Sequence, residues 1–596
     1  MKMIGLEIHF QLKGKKLFCD CDTEYHNDIS KIKRKLTPTL SELGEMDLAA
    51  EYEMKRNRDF IYNVTDNSCL VECDEDPPHM PNRNALDTAI AVSLALNCDI
   101  LKNIQFMRKV VIDGSNTSGF QRTGIIAMNG YLETSRGRVR ISTVTLEEDA
   151  ARKISENNNT VNYSLDRLGI PLIEISTEPD IIDEDHAVET AKRIAYFVMS
   201  MDNFRGEVDS IRQDVNFSMG HGRVEIKGVS KLSFIRDVIH YETKRQGMLE
   251  EISKKIESLG GFSYTYPVNI KNKYDWSKSS LINNNIKSGK NIYAFIFRNM
   301  RGLLKSGDFR FGRELGELMK NLGVGGIIHS DELPGYGLDS DFVSKLYNDL
   351  NVKEKDALLM VISMDDTFFD PLIKRAKKLL SLDLSETRAA TENGETRFLR
   401  PLPGRGRMYP ETDIPLITID NLDDIYKIVP ESIDKSMETL QKTYKLSRTD
   451  SEAIINDNLY KTFKDLINIY NEPKLISRVL LHIIPELRKK YNKDIDKKTV
   501  ERIMEASKSM KWDRLTIEKA MEIYISRDIS INDLFNLEEL KAMTDDELYK
   551  IINELIIQGA NQKNLIPKIK EKTVKSFNPA KAIDIYNEIY NHKNDK

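Results

Sequence analysis

The sequence predicts a multidomain α+β protein, and three observations carry that prediction. The chain has 596 residues, too many for one core and enough for about three to five domains. Period-two apolar patterns alternate with helical ones through residues 1–270. After Pro430 the strand signal stops and only helical spacing remains. Hydrophobic residues make up 40% of the chain and charged residues 30%, an ordinary globular balance. Lys and Arg number 88 against 93 Asp and Glu, a formal charge of −5. There is thus no overall basic signal, and a nucleic-acid partner would need a local positive surface. Five cysteines do not read as a secreted disulfide framework. Charged residues interrupt positions 2–16, and no apolar run reaches the ~20 residues of a membrane span. The expected location is the cell interior, in the cytoplasm, with no membrane partner.

Taken in order, residues 4–12 alternate as a strand does, with Ile4, Leu6, Ile8 and Phe10 on one face and Glu7 and His9 on the other. Residues 138–146 and 224–227 repeat the pattern. Helical spacing predicts helices over 185–201 and 233–250. From about 274 to 400 the texture changes to a compact insert. It holds a helix over 314–322, a glycine-driven turn at 323–326 and a second turn at 331–335. Further elements follow over 341–350 and 353–359, with a strand at 361–364. Residues 401–415 carry too many Pro and Gly for a regular helix. Helices are expected over 436–446, 450–459, 460–470, 472–487, 499–507 and 515–524. A small helical module closes the chain over 531–596, with Asn536 as a helix cap and Glu539 at its capping-box position.

Acidic residues form the leading chemical candidate. Glu7 and His9 are two apart on one strand and share its polar face. Glu147, Glu148 and Asp149 follow a strand-like run. Glu174 sits between Ile173 and Ile175, and a carboxylate buried there needs a cation or strong donors. Asp214 and Glu225 add two more acids, with Lys227 on the same strand face as Glu225. Several oxygen ligands and one imidazole suit Mg²⁺ handling phosphates better than a zinc–thiolate site. The alternative is a set of solvated acids in local salt bridges.

Other candidates are less specific. Cys19 and Cys21, with Cys69 and Cys73, could supply four thiolates to a structural Zn²⁺, or stand as reduced thiols. Residues 113–124 form a loop rich in glycine and hydroxyls that suits a phosphate or a plain polar turn. Arg122 is its candidate phosphate contact, although the Gly-Lys-Ser/Thr element of a Walker loop is absent. Arg405 and Arg407, beside Tyr409, could meet a nucleic-acid backbone, close over the site, or be linker surface. Lys563, Lys568, Lys570, Lys572 and Lys575 concentrate positive charge near the end of the chain, as phosphate contacts or as solvated lysines. Nucleophile-elbow, protein-kinase and Rossmann signatures are missing.

Longer motifs say more. Ile4-Gly-Leu-Glu-Ile-His9, Leu146-Glu-Glu-Asp149, Gly169-Ile-Pro-Leu-Ile-Glu-Ile-Ser-Thr-Glu-Pro-Asp180, Arg223-Val-Glu-Ile-Lys227, Tyr241-Glu-Thr-Lys-Arg-Gln246 and Tyr409-Pro-Glu-Thr-Asp413 closely resemble the B/E family of tRNA-dependent amidotransferases. The region around 275–400 looks like a module also inserted in bacterial-type aspartyl-tRNA synthetases. Such an insert marks the archaeal, E-type branch of the family. Where bacterial members carry Tyr-Gln-Ile-Ser-Gln, this chain has Gly-Phe-Gln-Arg-Thr-Gly at 119–124.

The resemblance implies an α/β cradle domain over 1–274 that returns at 401–429, with the α+β insert at 275–400 between them. It implies a helical domain at 430–530 and a tRNA-binding tail at 531–596, where the lysines of 563–575 would lie. The implied reaction uses ATP to phosphorylate the γ-carboxylate of Glu-tRNA(Gln), and ammonia then displaces phosphate. The family's Mg²⁺ ligands carry over to Glu7, His9, Glu148, Glu174 and Glu225, with Asp214 beside them. Arg122, from the loop reading, and Lys227 are the candidate ATP contacts. The implied partner is an asparaginase-like glutaminase of the D type (GatD), in a heterotetramer with two copies each of the D-type and E-type chains. Two rivals stand beside this reading: a non-catalytic tRNA-binding scaffold that recruits an enzyme, and a tRNA synthetase.

Overall fold

The computed structural model describes residues 2–594 apart from positions 26, 42–43, 55, 158, 207–209, 307–308, 322–323, 325, 411, 511, 528, 542, 574 and 576. Two of the four residues of the expected 323–326 turn, 323 and 325, therefore lie outside the described residues. The fold is mixed α and β and divides into two compact units, Met1–Pro430 and Glu431–Lys596. Among the described residues no helix is long and apolar enough to cross a membrane.

The first unit is built on an eleven-stranded sheet. In spatial order its main path runs Thr396–Pro401, Glu386–Ala390, Val224–Val229, Ile211–Ser218, Met3–Gln11, Pro171–Thr177, Gly137–Glu148, Phe120–Thr134, Phe106–Val110 and Met408–Tyr409, with Asp99–Ile100 added beside Phe120–Thr134. Val224–Val229 and Glu386–Ala390 pair in parallel; the remaining pairs are antiparallel. Met3–Gln11 is central, and its alternation works as expected: Ile4, Leu6, Ile8 and Phe10 are fully buried in the core. The helices Arg83–Ala95 and Glu184–Met199 pack on this sheet, and Leu232–Ser258 packs beside the latter. Asn82 and Asp183 start the first two by accepting the backbone N–H three residues on, which satisfies donors that a helix start leaves free. The expected helix from 233 continues to Ser258 because Leu249, Ile252 and Ile256 extend its buried stripe.

The length of one connection fixes the curvature of this sheet. Pro401 ends one edge strand, and Met408 begins the strand at the opposite edge. The chain between them spans at most about 25 Å when fully extended. Ten strands laid flat would separate the two edges by about 43 Å. The sheet must therefore curl, and residues 402–407 strap its two edges together.

Between Val229 and Glu386 the chain makes an excursion with its own four-stranded sheet, ordered Val268–Asn269, Asn291–Phe297, Ala357–Ser363 and Ile327–His329. Ala357–Ser363 is a nearly continuous buried apolar run, so the strand expected at 361–364 starts four residues earlier. Residues 386–401 carry the texture of the insert, yet they form two strands of the large sheet.

A fully buried ion network ties the excursion to that sheet. Arg388 lies 2.7 Å from both Glu314 and Glu386. Arg375 reaches Glu314 at 3.2 Å and also pairs with Glu386. Arg245 lies 2.8 Å from Glu242 and 3.2 Å from Glu314. Three guanidiniums thus meet three carboxylates. Burial opposes ionisation of Glu386, but Arg375 and Arg388 hold its carboxyl far below the usual range.

In the second unit, Ser432 and Ser447 cap the helices Ile433–Glu438 and Arg448–Asn456. Tyr460–Ile469, Lys497–Met510 and Arg514–Arg527 follow the expected pattern. The helix expected over 472–487 runs from Pro473 through a π-type turn to Tyr491. The expected capping box at Asn536 and Glu539 is corrected: residues 538–540 form a single 3₁₀ turn. The box sits instead at Thr544 and Glu547, the start of Asp545–Ile557. Both pairs have the right spacing, but a buried stripe, Leu548, Ile552 and Leu555, follows directly only after the second.

Removing one partner from a buried ion network leaves an uncompensated charge and costs about 3–5 kcal/mol. Arg388→Met should therefore destabilise the first unit by about that amount in urea unfolding. Arg138→Met, which breaks an exposed pair with Glu133, should cost under about 1 kcal/mol.

Candidate functional site

The register of the large sheet assembles the acids. Directly opposed residues on paired strands share a face. His9 stands opposite Glu174 on one neighbour, and Glu7 stands opposite Asp214 on the other. His9 Nε2 lies 3.0 Å from Glu174 Oε2. Glu147 completes this group: His9, Glu147 and Glu174 each bring a donor atom within 4.8 Å of the others. Glu7, Asp214 and Glu225 form a second group within the same distance. Asn216 donates to Glu7 at 2.8 Å, and Thr387 donates to Glu225 at 3.1 Å.

Glu148 is not on this face. Its neighbour Glu147 stands opposite Leu172 and Thr123, and consecutive strand residues point to opposite sides. Glu148 instead accepts from the Arg122 backbone at 2.9 Å and from Asn116 at 3.4 Å. Arg122 goes with it, lying 3.0 Å from Asp413 and 3.5 Å from Glu148. The structure thus places Glu148, expected as a metal ligand, and Arg122, expected as a phosphate contact, together on the face opposite His9 and Glu174. The cause is the same for each, since one residue along a strand exchanges one face for the other.

Of the two acidic groups, His9, Glu147 and Asp214 line a cavity of about 360 Å³, whose walls also include Lys109, Asp149, Arg212 and Lys227. Lys227 Nζ lies 2.7 Å from Asp214 and 2.5 Å from Glu225. The second acidic group therefore already holds an ammonium. Lys109 Nζ lies 3.4 Å from Glu147, and Arg212 pairs with Asp149. Asp113 and Ser115 of the glycine-rich loop also reach this cavity. Lys109, Arg212 and Arg400 are lining residues that sequence reasoning passed over as site groups. Arg212 was findable, because it stands two residues before Asp214 on a strand.

The local field separates the groups chemically. Burial alone would depress the His9 imidazole, but the hydrogen bond and charge of Glu174, with Asp214 and Glu147 behind it, hold it up at about 9. Burial would raise Glu174, yet Lys109 and His9 pull its carboxyl well below the ordinary value. Burial and the charge of Glu174 raise Glu7. Lys227 outweighs burial at Glu225 and brings it to about 2. One imidazole and two carboxylates, converging on a half-buried face, fit a hard divalent cation such as Mg²⁺.

The cysteines make a different centre. Thiols from Cys19, Cys21 and Cys69 converge within 4.8 Å with the carboxylate of Glu72. Cys19 donates its S–H to Glu72 at 3.0 Å, and the Cys69 N–H donates at 2.8 Å. Cys73, expected as the fourth ligand, is instead packed with Phe60, Tyr62 and Leu165. The turn over 69–73 directs Glu72 back to the thiols and Cys73 into that apolar cluster. Glu72 is 5% exposed, and among the described residues no basic side chain lies within 4.0 Å of it. A buried carboxylate with two donors and no cation, facing three thiols, fits Zn²⁺.

The tail lysines are divided. Lys572 and Lys575 are paired with Glu554 and Glu547 at 2.9 and 2.7 Å. Lys563 and Lys570 are exposed and Lys568 is half-buried. Lys570 and Lys575 line a surface groove with Lys519. The Arg405 side chain lies outside the described residues.

A family model described as the GatB/GatE catalytic domain matches residues 2–423. The chain is 48% identical to the E-type chain of the glutamyl-tRNA(Gln) amidotransferase of Thermoplasma acidophilum, over 99% of each chain. It is 38% identical to the corresponding E-type chains from Methanocaldococcus jannaschii and Saccharolobus solfataricus, over 96% of this chain and 93% of theirs.

The two faces are separable by experiment. Glu147→Gln should weaken Mn²⁺ binding, read by electron paramagnetic resonance, about tenfold or more. Glu148→Gln should leave binding within about twofold and lower the melting temperature, since it breaks a buried pair with Arg122. Affinity in the wild type should rise with pH up to about 9, because His9, held protonated to that point, must lose its proton to coordinate. A flat profile would argue against His9 as a ligand.

Proposed function

This chain belongs to the GatB/GatE family, and on that premise we propose that it performs the activating half of Gln-tRNA(Gln) synthesis. It is a tRNA-dependent amidotransferase of the ligase class. In this reading ATP phosphorylates the γ-carboxylate of glutamate carried on tRNA(Gln), and ammonia then displaces phosphate to leave the amide. The observation that carries it is the convergence of His9, Glu147 and Glu174 on one half-buried face, with Lys109, Arg212 and Lys227 around them.

The chemical difficulty is to bring one anion up to another. A carboxylate oxygen must approach a phosphoryl group that already carries negative charge, so positioned cations lower the barrier. Lys109 and Lys227 are held in place by carboxylates on the sheet, so they add charge without a large cost in side-chain ordering. Glu174, kept ionised, accepts from His9 and sets the plane of its ring. His9, Glu147 and Glu174 would hold the Mg²⁺, which when bound offsets charge on the ATP phosphates. Glu7, Asp214 and Glu225 orient Lys227 rather than take a second ion, because an ammonium already lies between Asp214 and Glu225.

The remaining parts follow from the same reading. The helical regions 430–530 and 531–596 would grip the tRNA, with Lys563, Lys568 and Lys570 facing its backbone more freely than the paired Lys572 and Lys575. The excursion between the cradle segments corresponds to the synthetase-like insert. Ammonia would come from an asparaginase-like glutaminase in a complex with two copies of each chain, in the cytoplasm where charged tRNA is used. Zn²⁺ on Cys19, Cys21, Cys69 and Glu72 would brace the turns that carry them.

Purified chain given ATP, ammonium and Glu-tRNA(Gln) should release ADP and form Gln-tRNA(Gln), and glutamine should replace ammonium only with the glutaminase present. His9→Ala should lower ADP release about 10²-fold or more, with tRNA retention on filters unchanged. ATP consumption indifferent to Glu-tRNA(Gln) would leave the scaffold reading instead. Elemental analysis should find about one zinc per chain, lost in Cys69→Ser and retained in Cys73→Ser. Retention in Cys69→Ser would remove that centre.

A further inference from the structure

Five basic side chains line the cavity: Lys109, Arg212, Lys227, Arg400 and Arg407. The first three are each paired with a carboxylate of the sheet. Arg400 and Arg407 are different. Among the described residues, neither has a carboxylate within 4.0 Å, although the Arg407 charge helps to lower Glu225; the Arg400 Nε–H, like that of Arg212, is buried with no hydrogen-bond partner. These two guanidiniums flank the strap over 402–407 that joins the edges of the curled sheet.

Both are aimed by local structure. The pairing of Thr396–Pro401 with Glu386–Ala390 slips by one residue between Arg388/Phe398 and Thr387/Arg400. Leu399 is the extra residue of a β-bulge, which re-aims the side chain that follows it. Phe398 therefore stays on the face of the buried ion network, while Arg400 joins Thr387 and Glu225 in one row across three strands. Arg407 is set from the other end, where Met408 pairs with Lys109. The strap itself is fixed by the Gly404 N–H, which donates to Asp47 at 2.7 Å. Gly406 passes so close to the Glu45 carbonyl that a side chain there would meet it at 3.0 Å. Asp413, just beyond, is held by Arg108 and Arg122 at 3.2 and 3.0 Å.

We propose that Arg400 and Arg407 are the phosphate-binding pair of this site, receiving the phosphoryl oxygens of ATP opposite the carboxylate floor. The inference rests on the phosphoryl transfer proposed above and assigns its anion-binding side chains. In that step a bond forms between the glutamyl carboxylate oxygen and the γ-phosphorus. The bond from that phosphorus to the bridging oxygen breaks, and ADP leaves with the electron pair. No proton or electron changes hands, so the protein's task is to match charge on the equatorial oxygens. A guanidinium does this with a planar fork of donors, which an ammonium lacks. Lys109, Arg212 and Lys227 are less available, since each would first have to give up a carboxylate.

The test uses the full chain with Glu-tRNA(Gln), ATP and ammonium. Arg407→Ala and Arg400→Ala should each lower the kcat for ADP release about 10²–10³-fold. Tight retention of Glu-tRNA(Gln) and the melting temperature should stay near the wild-type values. Millimolar guanidinium should restore part of the loss in the alanine variants and none of the loss in Glu147→Gln. Arg407→Lys and Arg400→Lys keep the charge without the fork and should remain impaired at least tenfold. Turnover within about threefold of wild type in the alanine variants, or a loss that guanidinium does not relieve, overturns the assignment. A wild-type chain that releases no ADP in response to Glu-tRNA(Gln) removes the underlying reading as well, and is distinguished by that control alone.

Discussion

Everything at the site depends on the central strand Met3–Gln11 keeping one face in oil and the other in a polar hollow. Ile4, Leu6, Ile8 and Phe10 together bury several hundred square ångströms of apolar surface, worth roughly 2 kcal/mol per side chain. That sum sets the register, because a slip of one residue would place four apolar side chains in the cavity and Glu7 and His9 in the core. Once this strand is fixed, pairing on either side carries Glu174 to His9 and Asp214 to Glu7. Apolar packing on one face thus assembles charge on the other.

The same chain treats buried charge in two ways. In the network of Arg245, Arg375 and Arg388 with Glu242, Glu314 and Glu386, each ion meets opposite charges and solvent is excluded. Such a cluster contributes little net stability over a well-packed apolar core, but it makes partial disruption costly, which suits a joint between an excursion and its parent sheet. In the cavity the balance is left open. Lysines on the floor are paired with acids, while among the described residues Arg400 and Arg407 form no ion pair within 4.0 Å, although the Arg407 charge is felt at Glu225. Charge left without a close partner is available to a ligand, and joint and cavity differ in this respect.

Curvature connects these features. Antiparallel sheets twist, but a wide sheet does not bring its two edges within one short connection unless something holds them there. Residues 402–407 do so, and the turn formers that rule out a helix in this stretch allow an extended strap. A side chain at Gly406 would press on the Glu45 carbonyl at 3.0 Å, and the Gly404 N–H is anchored by Asp47. The strap gives the polar face a second wall, so that Glu147, Asp149 and Asp214 line a partly open hollow in which the local field is stronger than on a flat surface.

The amino-acid sequence by itself determined the local periodicities. It settled the alternation at 4–12, with Glu7 and His9 on one polar face, and most helices of the second unit, because these follow from side-chain spacing along one element. That Glu174, Asp214 and Glu225 join them was implied only by the family resemblance. The sequence did not determine which of Glu147 and Glu148 faces the cavity, which of Glu72 and Cys73 faces the thiols, or that Arg122 is spent on Glu148 and Asp413. Each of those depends on where a strand or turn begins its alternation relative to a neighbour distant in the chain. Tertiary structure alone decided them, since register is a property of paired strands and a single residue of offset reverses a side chain completely.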